Sequence, residues 1–210
     1  MQLGDILNAI KIFVEQIISS MGYVGLYLVM FLENVFPPIP SEVVLPMAGS
    51  LTLTGRFSVF WITFIGMLGS LTGAFLFYGL GKWLGEPRVR TIIEKYGRYA
   101  LLSTNDLDRS LEWFDKYDDW VIFFSRMVPI VRSLISIPAG IATMNITKFS
   151  FFTILGTALW SFLLALGGRL LGEQWPLIAE LINTYQNIVL VITAAAVLFF
   201  IGSRLLKKKK

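Results

Sequence analysis

The chain has 210 residues, of which 55% are hydrophobic and 15% charged, with a mean hydropathy of +0.69 and a net charge of +4. Charged residues make up about a quarter of an ordinary soluble domain. The composition therefore excludes a soluble globular fold, and its continuous apolar runs predict an all-α integral membrane protein rather than a β-barrel. Cysteine and histidine do not occur. That excludes disulfides, thiolate chemistry and the side chain most used as general base or metal ligand; no catalytic residue, metal or cofactor is expected.

Residues 1–20 place Leu3, Ile6, Leu7, Ile10, Phe13, Val14, Ile17 and Ile18 at helical spacing, with Asp5, Lys11 and Glu15 between them. The pattern predicts an amphipathic interfacial helix. Its acidic residues and the lack of a basic start predict no cleavable signal peptide. Residues 16–32 are uncharged.

Residues 29–49, VMFLENVFPPIPSEVVLPMAG, are apolar at both ends yet hold Glu33, Glu42, Pro37, Pro38, Pro40 and Pro46. The uncharged run 43–55 is too short to span a bilayer and predicts one arm of a re-entrant hairpin. Residues 57–81 predict a spanning helix, with Gly66, Gly69, Ser70 and Gly73 as a small-residue packing face. Residues 82–119 are rich in both charge signs and read as an interfacial or extramembrane helical segment. Residues 120–147 are apolar again but carry Arg126, Pro129, Arg132 and Pro138. Residues 149–168 and 181–203 predict a second and a third spanning helix, and the chain ends in Lys207–Lys210. The positive-inside bias places both the 82–116 segment and the basic tail in the cytoplasm. The six tryptophans read mostly as interface anchors.

The two proline-broken segments match each other at a spacing of about 90 residues. FLENVFP (31–37) aligns with FFSRMVP (123–129), Ala48-Gly49 with Ala139-Gly140, Arg56-Phe57-Ser58 with Lys148-Phe149-Ser150, and Gly81-Lys-Trp-Leu-Gly85 with Gly168-Arg-Leu-Leu-Gly172. The expected architecture is a single membrane domain, 1–210. Residues 1–85 and 86–172 form inverted repeats of interfacial helix, re-entrant hairpin and spanning helix, and residues 173–210 add a C-terminal helix and basic tail. Inverted repeats with interrupted apolar segments at equivalent positions point to a transport site near the bilayer midplane.

The first broken segment contributes Glu33 and Glu42, the second Arg126 and Arg132. A charge at the bilayer centre costs at least about 2.5–3.5 kcal/mol on insertion scales, so four of them need partners or a water-filled cavity. The breaks at Pro37, Pro38 and Pro40, and at Pro129 and Pro138, let residues on different helix faces point to one place; Gly49 and Gly140 complete the expected hairpins. Static ion pairs, Glu33–Arg126 and Glu42–Arg132, are the plainer explanation. A functional site is preferred because arginine matches phosphate through bidentate hydrogen bonds and a buried carboxylate can exchange protons.

The pattern Phe31-Leu-Glu33-Asn…Pro-x-x-Pro40-Ser-Glu42…Ala48-Gly49, with Phe-x-Ser-Arg126-x-x-Pro129-x-x-Arg132…Pro138-Ala139-Gly140, resembles the DedA family of bacterial membrane proteins, within the wider SNARE-associated/VTT-type group. The resemblance covers about residues 20–172. It implies paired re-entrant hairpins, functional roles for Glu33, Glu42, Arg126 and Arg132, and lipid translocation in the bacterial cytoplasmic membrane. Undecaprenyl phosphate and phosphatidylethanolamine are the leading substrates, and the PPIPSE form is most similar to the undecaprenyl-phosphate branch. The expected function is a lipid-phosphate flippase serving cell-envelope synthesis. In it Arg126 and Arg132 bind the phosphate, while Glu33 and Glu42 are charge partners that couple transport to protons. A phospholipid scramblase and a proton-coupled cation exchanger are the alternatives; an enzyme is not expected. Expected partners are the phosphate-headed lipid, bilayer lipids and, as an assembly, a second copy of the chain, but not nucleic acid.

Overall fold

The computed structural model describes residues 3–35, 41–100, 103–128 and 131–172, and isolated positions at 184, 188, 191 and 195. Seven α-helices occupy the described residues: α1 (Leu3–Val35), α2 (Ser41–Ser50), α3 (Val59–Ala100), α4 (Thr104–Ser125), α5 (Val131–Leu134), α6 (Ser136–Ile141) and α7 (Ile146–Leu170). A 3-10 turn, Leu51–Thr54, follows α2 and stops at Gly55, which takes the left-handed conformation (φ 77°). No strand occurs among the described residues. The expected third spanning helix, 181–203, falls almost wholly outside them.

The segments Ile12–Val35, Val59–Tyr96 and Ile146–Leu170 are long and apolar enough to cross a membrane. Their faces are arranged inside out relative to a soluble protein. On α7 the buried positions are Phe149, Thr153, Gly156, Thr157, Ser161, Ala165 and Gly168. Its outward face carries Phe151, Leu155, Leu159, Phe162 and Leu163. Small and hydroxyl-bearing residues face the protein and large apolar ones face outward, as expected when the surroundings are lipid and close helix approach drives packing. Trp61, Trp83 and Trp120 are exposed as expected of anchors, and Arg88 lies over the Trp83 ring at 5.1 Å.

Local signals fix the helix ends. The Asn145 side chain accepts hydrogen bonds from the Thr147 and Lys148 N–H groups at 2.8 and 3.3 Å, capping α7. The Ser103 N–H donates to the Asp106 carboxylate at 2.9 Å, part of a capping box on α4. Gly22 (φ 61°) kinks α1 and Gly85 (φ 63°) kinks α3, both in backbone conformations that side chains with a Cβ rarely adopt.

The N-terminal amphipathic stretch ends at the non-helical Gly22, beyond which a second helical stretch forms the apolar arm; its Val14 and Ile18 are fully buried in the core with Leu26, Met30, Leu45 and Ile62. One sequence expectation needs correction. The boundary placed near residue 120 is absent. The charged turns 104–119 and the apolar FFS sequence form one continuous helix, α4, which ends only at Arg126. The signal that misled was the charge density. A continuous helix can dip from a charged face into an apolar one without changing its backbone.

The ten residues of α2 extend about 15 Å, half the roughly 30 Å of a hydrocarbon core. It packs on α7, while α6 packs on α3. Each short helix therefore lies on the long helix of the other half. Gly49 of α2 is set against the Ala165 carbonyl, and Gly168 of α7 against the Pro46 carbonyl. Gly140 of α6 is set against the Tyr78 carbonyl, and Gly81 of α3 against the Ile137 carbonyl. The glycines paired by the sequence repeat thus occupy matching helix contacts. The small-residue face of α3 packs as expected: Gly69 faces the Tyr27 carbonyl, and Gly73 faces Asn34. The Tyr78 hydroxyl donates to the Met144 carbonyl at 2.6 Å, tying α3 to the turn before α7. Outside the apolar layer, Arg90 bridges Glu86 and Asp108 at 2.7 and 2.5 Å, joining α3 beyond its kink to α4.

Candidate functional site

All four ionisable residues singled out in the sequence are buried: Glu33 and Glu42 are 3% and 2% exposed, Arg126 and Arg132 are 2% and 7%. Their places follow from the helix ends. Glu33 and Asn34 lie in the last turn of α1, Glu42 in the first turn of α2, Arg126 at the C-cap of α4 and Arg132 in α5. Each therefore sits where a helix starts or stops, beside backbone groups that the helix itself does not satisfy. Pro37, Pro38, Pro40 and Pro129 lie outside the described residues. Pro138 lies inside α6 and Pro46 inside α2.

The pairing differs from the expected one. Glu33 is ion-paired through Oε1 with Nη2 of Arg132, not with Arg126. Its Oε2 is buried without a hydrogen-bond partner. Arg126 instead donates from Nη1 to the Arg132 carbonyl at 2.6 Å, and from Nη2 to Ser136 Oγ at 3.2 Å and Thr153 Oγ1 at 2.9 Å. Its guanidinium also lies over the Phe149 ring, 5.5 Å from the centroid. The break after α4 explains the exchange of partners. The Arg126 side chain meets the backbone of Arg132, while the Arg132 side chain reaches α1.

Glu42 occupies a different station. The Ser41 hydroxyl and the Trp160 indole adjoin its carboxylate, and its Oε1 has no hydrogen-bond partner. Trp160 is on α7 about two turns beyond Thr153, on the order of 10 Å along the axis. One helix thus touches both the guanidinium of Arg126 and the carboxylate of Glu42.

Sequence reasoning gave no role at the site to Asn34, Ser41, Ser136, Thr153 or Trp160. Asn34 donates from Nδ2 to the Ser70 carbonyl at 2.9 Å, holding the end of α1 to α3 beside Glu33. The available signal was the spacing of Thr153, Thr157 and Ser161, one hydroxyl per turn along a single face of an otherwise apolar helix. Trp160, expected to be an interface anchor, faces a buried carboxylate instead.

Residues 39–170 match the VTT domain. The chain belongs to the VTT-domain (DedA) family. The match takes in three of the four charged residues, and Glu33 lies just before it. Among curated relatives, the chain is similar to undecaprenyl phosphate transporter A of Staphylococcus aureus, 32% identical over 94% of this chain and 97% of the relative. It is 33% identical to the Bacillus subtilis protein of the same name, over 88% of this chain and 89% of that one. An alkaline phosphatase-like protein of Lactococcus lactis subsp. lactis is 35% identical over 93% and 94% of the two chains. No solved structure matches the chain. The inside-out helix faces together with these relatives make this DedA-family chain an integral membrane protein.

Proposed function

We propose that this DedA-family protein carries a phosphate-headed lipid, with polyprenyl phosphate as the preferred substrate, across the bacterial cytoplasmic membrane for envelope synthesis. The observation that carries the reading is the buried Glu33–Arg132 pair between the end of α1 and the short helix α5. Hydrophobic packing would fasten two apolar helices without placing charges between them, and a buried ion pair adds little stability over such packing. A pair that can open, however, presents a guanidinium whose fork matches two phosphate oxygens.

In this reading the phosphate displaces the Glu33 carboxylate from Arg132, Arg126 adds its positive charge to the same region, and the polyprenyl tail stays in lipid. Protonation of Glu33 frees Arg132 for substrate. Protonation of Glu42, whose Oε1 is buried and unpartnered, couples the cycle to the proton gradient. The reading treats α2 and its flanking turn, and α5 with α6, as arms of re-entrant hairpins in inverted halves. The matching glycine contacts at Gly49 and Gly168, and at Gly140 and Gly81, support that arrangement. The lysine tail then faces the cytoplasm. The names of two relatives as undecaprenyl phosphate transporters support the substrate.

The test is headgroup accessibility of undecaprenyl phosphate in vesicles containing the purified protein, with phosphatidylethanolamine as competitor. Protein-dependent exposure of the phosphate, lost in Arg132→Ala and not competed by phosphatidylethanolamine, is expected. Equal movement of both lipids makes the protein a general scramblase, and release of inorganic phosphate makes it an enzyme.

One set of observations favours a second reading, a proton-coupled cation exchanger. Glu33 Oε2, Asn34 Oδ1, Ser41 Oγ, Glu42 Oε1 and Ser70 Oγ are all buried oxygens without a hydrogen-bond partner, and oxygen ligands suit hard cations. Cation flux in lipid-substrate-free vesicles that tolerates Arg126→Lys would favour it.

A further inference from the structure

The hydrogen bonds of Arg126 divide the work between the two arginines. Its Nη1 and Nη2 atoms are committed to three neutral oxygens: the Arg132 carbonyl on α5, Ser136 Oγ on α6 and Thr153 Oγ1 on α7. The face of the guanidinium rests on Phe149, also on α7. Gly156 leaves no room behind it, because a Cβ there would lie 3.1 Å from the Arg126 Cβ and 2.7 Å from the Phe123 carbonyl. One buried side chain thus joins the end of α4 to three other helices.

The segment it holds is otherwise weakly specified. Helix α5 has four residues, too few to be stable by its own backbone hydrogen bonds. Single backbone bonds, Arg132 N–H to the Val128 carbonyl at 3.1 Å and Ile135 N–H to the Val131 carbonyl at 2.9 Å, link this turn to its neighbours. The Arg126 bond to the Arg132 carbonyl is charge-assisted and therefore among the stronger contacts this turn makes.

We propose that Arg126, Ser136 and Thr153 are positioning residues that act through Arg132. Arg126 is held by the two hydroxyls and in turn fixes the main chain of Arg132, so that the Arg132 side chain alone exchanges Glu33 for the phosphate. The inference rests on the lipid-phosphate reading and assigns roles within that site: Ser136 and Thr153 set substrate affinity without touching substrate.

The test uses the full-length protein in phosphatidylcholine vesicles with a fluorescent polyprenyl phosphate as probe. Flipping rate is measured against probe concentration for wild type, Ser136→Ala/Thr153→Val and Thr153→Ser. Loss of hydrogen bonds to a charged group is expected to raise the half-saturating probe concentration on the order of tenfold, with the maximal rate within about twofold, and Thr153→Ser is expected to behave as wild type. A second readout needs no transport. Because the chain has no cysteine, Leu134→Cys, at a half-exposed position of α5, supplies a single thiol whose rate of modification by a membrane-permeant maleimide reports the freedom of the turn. That rate is expected to rise in the double variant.

Unchanged half-saturation together with unchanged labelling overturns the proposal, as does a fall in maximal rate alone that Thr153→Ser does not rescue. If the double variant does not fold, Ser136→Ala alone carries the same two measurements. Failure of wild type to move the probe overturns the lipid reading instead, and the labelling comparison still decides whether the hydroxyls hold the turn.

Discussion

Glu33 at the end of α1 and Arg132 in the short helix α5 meet as a buried ion pair, joining the broken segment of the first half of the chain to that of the second. Breaking a buried pair by removing one partner costs about 3–5 kcal/mol, because the other charge is left without compensation. Arg132→Ala and Glu33→Gln are each expected to lower the thermal stability of the detergent-solubilised protein. The double variant is expected to lose much less than the sum of the single losses. Additive losses in the double-mutant cycle would mean that the two charges act separately.

The same pair predicts a functional asymmetry. Glu33→Gln removes the competitor for Arg132 but keeps its shape. If phosphate displaces the carboxylate, transport should no longer reset and should fall sharply, while binding of the lipid phosphate to purified protein is retained or tightened. Arg132→Ala should lose both binding and transport. Lipid binding that falls equally in the two variants would place the carboxylate in direct support of the substrate rather than in competition with it.

Gly49 and Gly140 offer a comparison between the halves. Each is set against a backbone carbonyl of a long helix, Ala165 and Tyr78 respectively. Added atoms there force the helices apart, at a cost of about 1–3 kcal/mol or more. Gly49→Ala and Gly140→Ala should destabilise the protein to a similar extent. Gly79→Ala and Gly167→Ala, where no atom lies within 4 Å of an added Cβ, should be neutral or stabilising by up to about 1 kcal/mol from helix propensity. Thermal unfolding of the four variants separates the two classes.

The parts legible in the sequence were those that composition and spacing control. The apolar run 57–81 coincides with α3 from Val59 onward and the run 149–168 lies within α7, and the small residues of α3 pack where their spacing placed them. The burial of Glu33, Glu42, Arg126 and Arg132 was implied by apolar flanks. The partner of each charge was not legible, because pairing depends on the path from Arg126 to Arg132, and the five residues between α4 and α5 leave either side chain able to reach α1. The hydroxyls of Ser136 and Thr153 were missed for a related reason. Serine and threonine are common in membrane helices, where they bond their own backbone, so only the three-dimensional approach of a guanidinium marks these two as different. The continuity of α4 was hidden by its charges, which describe the surroundings of a helix and not its ends.

Trp160 tests whether Glu42 belongs to the working site. The other described tryptophan side chains, Trp61, Trp83 and Trp120, are exposed, and phenylalanine at those positions preserves an aromatic surface toward lipid. Trp160 instead adjoins the Glu42 carboxylate, and phenylalanine there keeps most of the volume while removing the only N–H the ring can donate. If Glu42 takes part in proton coupling, Trp160→Phe should weaken the response of transport to an imposed proton gradient, in the direction of Glu42→Gln. Trp61→Phe and Trp83→Phe should leave that response intact. Transport would be measured in vesicles with and without a pH gradient, and again after an ionophore collapses it. A gradient response that survives both Glu42→Gln and Trp160→Phe would remove Glu42 from the coupling mechanism and leave Glu33 as the other buried carboxylate among the described residues.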